Sequence, residues 1–272
     1  MSDRVLVSLS DGVAEVRFNR ADKRNALDGD QFLAIADAGE QVKSMGGVRA
    51  VVLCGDGASF CAGLDFSVFA GMAGGEAGAE SSSRPSGNPA AMVEGKITQL
   101  AQQVCWVWQE IEAPVIAAVQ GHALGGGCQI ALGADIRFSR PDTKWSVREV
   151  HWGLIPDMTG TFMLSRLVRS DIARELVYTA KVIDGNEAHA IGLTTHLADD
   201  PYAAAHALAG EIAGRSPQAV RGAKELFNRM FVQDAAEQFE AERQVIRTLI
   251  GTPNQVEAIT ANLENRPANF TD

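Results

Sequence analysis

Val5 to Ser8 and Val13 to Asn19 alternate apolar and polar residues on either side of Asp11-Gly12. Period-two alternation broken by Asp-Gly predicts a β-hairpin with a tight turn. Helical spacing runs from Asp28 to Met45, with Asp28 placed to cap its start and Gly46-Gly47 to end it. Val48 to Cys54 and Pro114 to Val119 are short apolar runs of the kind that form buried strands, and Ile136 to Ser139 reads as a third strand. Glycine, serine and proline crowd residues 71 to 95, which predicts a mobile loop and a candidate lid. Helical spacing returns from Val93 to Ile111. It dominates from about Thr159 onward, through Leu164 to Val168, Ile172 to Thr179, Tyr202 to Ala213 and Pro217 to Phe231. Strands alternating with helices, followed by a helical tail, predict an α/β fold with a C-terminal helical extension.

Charge narrows the partners. The net charge is −10, from 24 Lys and Arg against 34 Asp and Glu, so polyanions are repelled and nucleic acid is not an expected partner. A local basic cluster, Arg20-Ala-Asp-Lys23-Arg24, reads either as a site for a small phosphorylated ligand or as a solvated turn. Cys54, Cys61, Cys105 and Cys128 form no CxxC pair and no zinc pattern, so reduced thiols and no metal are expected. No apolar run is long enough for a signal peptide or a membrane span, and a cytoplasmic protein that does not contact membranes is expected.

Two segments share one logic: a buried strand followed by small residues. Val51 to Cys54 leads to Ser59-Phe-Cys-Ala62-Gly63-Leu64-Asp65, and Val115 to Ala118 leads to Gly121-His-Ala-Leu-Gly125-Gly126-Gly127-Cys128-Gln129. A helix starting within the glycine run leaves N–H groups unpaired in its first turn, where the helix dipole favours an anion. Two such N–H groups from different strands, aimed at one oxygen, make an oxyanion hole, at about 3–4 kcal/mol per donor. Tight packing of helix on strand explains the same glycines without a ligand.

These segments resemble the two signature segments of the enoyl-CoA hydratase/isomerase (crotonase) superfamily in composition, order and separation. The similarity continues through Arg24-Asn-Ala-Leu27, Trp152-Gly-Leu-Ile-Pro156 and Ser216-Pro-Gln-Ala219. The resemblance implies a crotonase-like spiral of ββα units over residues 1–200, with a helical region over 201–272 that builds trimers or dimers of trimers. It implies an acyl-CoA substrate, with coenzyme A part of that substrate and no separate cofactor. It also implies that Leu64 and Gly126 donate the two N–H groups of the oxyanion hole, and that Arg24, Ala62, Asp65 and Gly125 contact the substrate.

The reaction turns on the carboxylates, because enolate chemistry needs a base for the α-proton or an acid for its return. By resemblance, Gln129 and Glu149 stand where hydratases carry two catalytic glutamates. A glutamine amide orients a water but carries no proton near neutral pH. Glu149 followed by Asp157 is similar to the carboxylate pair of dienoyl-CoA isomerases. Each position has a plainer reading: Gln129 as a helix-surface residue, Glu149 as an ion-pair partner of Arg148, Asp157 as the N-cap of the helix after Pro156. His122 and His151 are further acid–base candidates, His122 more readily a packing residue. Trp145 and Trp152 fit either an acyl tunnel or the core. The favoured expectation is a double-bond isomerase acting on 3-enoyl- or 3,5-dienoyl-CoA. A 2-enoyl-CoA hydratase and a CoA-ester-binding protein with little catalysis are the alternatives.

Overall fold

The computed structural model describes residues 3–73, 87–230 and 232–270. Strands β1 (Val5–Ser10) and β2 (Val13–Phe18) pair antiparallel. Asp11 and Gly12 between them hold φ of 52° and 81°. Two consecutive left-handed residues are the requirement of a type I′ turn, which is why Asp-Gly closes this hairpin. Helix α1 (Gly29–Ser44) begins where its cap was expected, with the Asp28 carboxylate accepting from the Gln31 N–H at 2.9 Å.

From here the chain winds in a spiral. Strand β3 (Ala50–Gly55) lies parallel to β2, and helix α2 (Phe66–Ala73) follows. Next come α3 (Leu100–Glu110), β4 (Val115–Val119), β5 (His122–Leu124) and α4 (Gly126–Leu132). Then β6 (Ile136–Ser139), β7 (Lys144–Ser146), a 3-10 turn (Glu149–Trp152), α5 (Gly160–Leu167), α6 (Ser170–Thr179), α7 (Gly185–Ala190) and β8 (His196–Leu197) complete the winding. The main sheet runs β1-β2-β3-β4-β6-β8. A second, shorter layer is built from the parallel pair β5 and β7 and single bridges Leu27↔Leu64, Cys61↔Ala123 and Trp145↔Ile183. Each turn gives a long strand to the first layer, a short one to the second, and then helix. This is the spiral of ββα units that the resemblance implied.

The apolar runs of β3 and β4 follow from burial on both faces. Val51, Leu53, Val115 and Ala117 face the main core. Ala50, Val52, Ile116 and Ala118 face helix α8 (Pro201–Ala213) through Ala205 and Ala209. Residue 200 therefore does not divide the packing within the chain. Helices α9 (Pro217–Arg229), α10 (Val232–Leu249) and α11 (Pro253–Leu263) also fold back on it. Lys224 of α9 is buried against Asp135 at 2.7 Å. Phe239 of α10 is fully buried, its ring centroid 5.0 Å from that of Trp106 and 5.7 Å from that of Phe162.

Two boundaries differ from expectation. The helix read from Val93 begins only at Leu100, because Val93 N–H bonds to Thr98 O and Gln99 forms a capping box with Gln102. Polar side chains that bond the backbone locally stop a helix from extending backward. Of the expected loop, residues 71–73 continue α2, while residues 74–86 lie outside the described residues. Among the described residues no helix is long and apolar enough to cross a membrane. All four cysteines are free and buried.

Candidate active site

The site forms where the second layer of the spiral breaks off. Leu27 N–H bonds to Gly63 O, and Asp65 N–H bonds to Leu27 O, both at 2.8 Å. Successive residues of a strand aim their N–H groups to opposite sides. Leu64 N–H is therefore turned away from Leu27, toward the neighbouring β5 segment. That neighbour is close: a Cβ on Gly63, whose φ is +90°, would sit 2.6 Å from the Leu124 carbonyl oxygen. β5 ends at Leu124; Gly125, whose N–H bonds to Ser146 O at 2.9 Å, is the N-cap of α4, which starts at Gly126. Gly126 contributes the first N–H of that helix, which has no intrahelical acceptor. Among the described residues, neither the Leu64 nor the Gly126 N–H bonds a carbonyl outside its own element. A Cβ on Gly126 would lie 2.7 Å from Leu27 Cδ1 and 2.9 Å from Met158 Sδ, so only glycine fits there without movement.

Both N–H groups border a cavity of about 650 Å³, and the expected site residues gather around it. Arg24, Ala62, Leu64, Asp65, Gly125 and Gly126 line it, as do the carboxylates Glu149 and Asp157. Exposed Lys23 and Arg24 border it as well. Its apolar wall includes Phe66, Phe69, Trp152, Leu154 and Met158. Trp152 stacks on Phe69 at 4.2 Å between ring centroids. Helix α10 adds Ile246 and Arg247, and Ile250 follows directly after it.

Glu149 opens the 3-10 turn. Its Oε1 accepts from Gln129 Nε2 at 2.5 Å, while its Oε2 is buried with no partner. Burial pushes this carboxyl up to about 8; the charges of Asp157 and Glu242 add to the rise, and hydrogen bonds from its own backbone and Gln129 oppose it. Burial likewise pushes Asp157 up to about 6. A carboxyl whose charged form is penalised holds its proton to higher pH. Between about 6 and about 8 the pair therefore holds one proton.

Several expectations change. Gln129 is neither on the helix surface nor a cavity-lining residue. It is fully buried and tied at both ends, donating to Glu149 and accepting from Met158 N–H at 3.0 Å. It fixes the Glu149 carboxyl relative to the turn that carries Asp157. Glu149 makes no ion pair with Arg148, which bonds the Ala180 carbonyl instead. Asp157 does not cap α5: Thr159 occupies that place at φ 67°, with no side-chain cap of its own. Asp65 lines the cavity, but its carboxylate is engaged by Arg20 at 2.9 Å and by the Ser67 N–H and hydroxyl. Arg20 is thus removed from the basic cluster, leaving Lys23 and Arg24 at the cavity. Trp145 belongs to the core, donating from Nε1 to Ser139 Oγ at 3.0 Å, whereas Trp152 lines the cavity. His122 packs with Nδ1 2.9 Å from Ser59 Oγ, and His151 sits against Arg148; neither lines the cavity. Burial pushes the Cys54 and Cys61 thiols up to about 12, and Cys105 and Cys128 up as well, so none is poised as a nucleophile.

Sequence reasoning missed the contribution of α10. The buried Glu242 accepts from Thr159 N–H and the Thr161 hydroxyl, beside Asp157. Position 242 falls in the acid-rich stretch Glu237 to Glu242, which carries no local signal of burial.

Comparison with known proteins agrees with this geometry. A family model described as enoyl-CoA hydratase/isomerase matches residues 8–272. A crotonyl-CoA hydratase of Syntrophomonas wolfei subsp. wolfei is 32% identical over 271 residues, covering 98% of this chain and 98% of that protein. A short-chain-enoyl-CoA hydratase of Clostridium acetobutylicum is 32% identical over 268 residues, covering 97% of this chain and 96% of that protein. Among solved structures, carnitinyl-CoA hydratase from Mycobacterium avium matches with a TM-score of 0.83 at 27% identity, covering 99% of each chain. On sequence and fold together, this chain belongs to the enoyl-CoA hydratase/isomerase family, with the crotonase-like fold.

Proposed function

We propose that the protein is an acyl-CoA double-bond isomerase acting on 3-enoyl- or 3,5-dienoyl-CoA thioesters. In this reading the Leu64 and Gly126 N–H groups hold the thioester oxygen as negative charge develops on it. Glu149 removes a proton from C2. For a 3-enoyl substrate the same carboxyl returns the proton at C4. For a 3,5-dienoyl substrate the pair reacts in the form that carries its one proton on Asp157, which delivers it at C6, and the proton that Glu149 takes from C2 replaces it in the pair. Lys23 and Arg24 meet the phosphates of CoA. Beyond the CoA carried by the substrate, the reaction needs no cofactor.

The observation that carries this reading is the set of proton carriers. Two carboxyls, Glu149 and Asp157, face one cavity and hold one proton between them near neutral pH; Glu149 keeps it to the higher pH, and the form in which it has passed to Asp157 supplies a base and an acid together. Gln129, at the position of a second hydratase glutamate, is bound to Glu149 and cannot carry a proton.

A second reading, hydration of 2-enoyl-CoA by Glu149 alone, is favoured by the names of the relatives at 32% identity, both hydratases. Incubation with trans-2-enoyl-, 3-enoyl- and 3,5-dienoyl-CoA separates the two. Isomerisation leaves mass unchanged and shifts the ultraviolet spectrum, whereas hydration adds one water. Water addition to the 2-enoyl substrate without turnover of the other two would overturn the isomerase reading.

A further inference from the structure

Helix α10 does more than wall the cavity. Residues 242, 246 and 250 follow one another at four-residue spacing and so share one face. Ile246 and Ile250 line the cavity. Glu242, one turn earlier and only 2% exposed, reaches the turn beyond Asp157. Its Oε2 accepts from Thr159 N–H at 3.0 Å and Gln102 Nε2 at 3.2 Å, and its Oε1 accepts from the Thr161 hydroxyl at 2.6 Å. Gln102 is itself held, since its Oε1 accepts from Arg243 Nη1 at 2.7 Å.

Three donors converge on one carboxylate. A neutral amide in the same place would set its NH₂ against the Thr161 hydroxyl, which already accepts from Gln238 Nε2 at 2.7 Å, so the donor set favours an acceptor-only group. The turn it holds also needs holding. Thr159 is in the left-handed region at φ 67°, uncommon for a β-branched residue, and its own hydroxyl is buried without a partner. Glu242 supplies from a distance the hydrogen-bond acceptor that this helix start lacks.

We propose that Glu242 is a positioning residue: through Thr159 and Thr161 it fixes the turn that aims Asp157, so that the second proton carrier is placed by the helix that walls the acyl cavity. This rests on the reading of Asp157 as the proton donor for dienoyl substrates. Filling the cavity against Ile246 and Ile250 then bears on the element that sets Asp157.

The test is a double-mutant cycle of Glu242→Gln and Asp157→Asn in the full-length protein. kcat and KM are measured on 3,5-dienoyl- and 3-enoyl-CoA, and thermal unfolding is followed in parallel. Glu242→Gln is expected to lower kcat on the dienoyl substrate roughly 10–100-fold, within the range of a positioned acid, with KM changed less than about 3-fold. In the Asp157→Asn background the same change is expected to cost less than about 3-fold, because residues acting through one another are non-additive. An equal loss in both backgrounds, or an equal loss on both substrates, overturns the proposal. If Glu242→Gln does not fold, Thr161→Val removes one donor and carries the same cycle with the same criteria. If Asp157→Asn alone leaves the dienoyl rate intact, the role given to Asp157 has failed, a result distinct from additivity.

Discussion

Replacing Glu149 by glutamine should exchange activity for stability. The amide retains the side chain's shape, and its oxygen can accept from Gln129 as the carboxylate Oε1 does now. Its NH₂ takes the place of Oε2, which has no partner to lose. The base is removed, so turnover of every acyl-CoA substrate should fall about 10²–10⁴-fold, the range of a positioned general base. Stability moves the other way. Folded Glu149 keeps its proton to about 8, against an ordinary value of 4.5. Between those values the native state binds more protons than the unfolded chain, so the parent protein loses stability as pH rises through this window. Over the whole window the loss amounts to at most about 5 kcal/mol, at 1.36 kcal/mol per tenfold change in proton affinity. Glutamine does not titrate and escapes it. The variant should therefore melt near the parent at pH 5 and roughly 10 °C above it at pH 8, at about 2–4 °C per kcal/mol for a chain of this size. Scanning calorimetry at both pH values and a steady-state assay on one preparation suffice. A constant difference in melting temperature, or a variant that still turns over, would refute the reasoning.

Other outcomes follow from the same geometry. Gly126→Ala drives a methyl group toward Leu27 Cδ1 and Met158 Sδ; the displaced N–H should cost about 10²–10³-fold in kcat with modest change in KM, and an unimpaired variant would count against the anion site. Asp157→Asn should slow a 3,5-dienoyl-CoA far more than a 3-enoyl-CoA, and equal effects on both would contradict the division of labour. For the dienoyl substrate, kcat/KM should follow a bell with limbs near about 6 and about 8, because the form holding one proton is the active one. For the 3-enoyl substrate it should only rise toward about 8. Helix α9 exposes Leu226, Phe227 and Met230, each by 65–69%. We propose that this face is covered in a trimer or dimer of trimers. Light scattering at micromolar concentration should give that mass and Phe227→Glu should reduce it, whereas a monomeric parent would refute the assembly.

Legibility in the sequence followed the range of the interactions involved. The hairpin, the start of α1 and the strand Val115–Val119 were readable because their causes are local: Asp11-Gly12 at the turn, Asp28 at the cap, an unbroken apolar run. The short strands β5 and β7 were not, since three residues carry no period. The glycine segments were legible as places of close backbone approach, the family resemblance singled out Leu64 and Gly126 within them, and both segments do border one cavity. The burial of Gln129 was not legible because it depends on Glu149 and Met158, 20 and 29 residues away. Glu242 left no trace in the sequence, because its partners Gln102 and Thr159 lie 140 and 83 residues distant.

The central claim is that two backbone N–H groups share one thioester oxygen beside the Glu149 carboxyl. A crystal structure with a saturated, unreactive acyl-CoA tests it most directly. The carbonyl oxygen should lie about 2.7–3.1 Å from both the Leu64 and Gly126 nitrogens, with C2 within reach of Glu149 Oε2. A carbonyl oxygen bound elsewhere, or nitrogens more than ~6 Å apart and so unable to share it, would contradict the account.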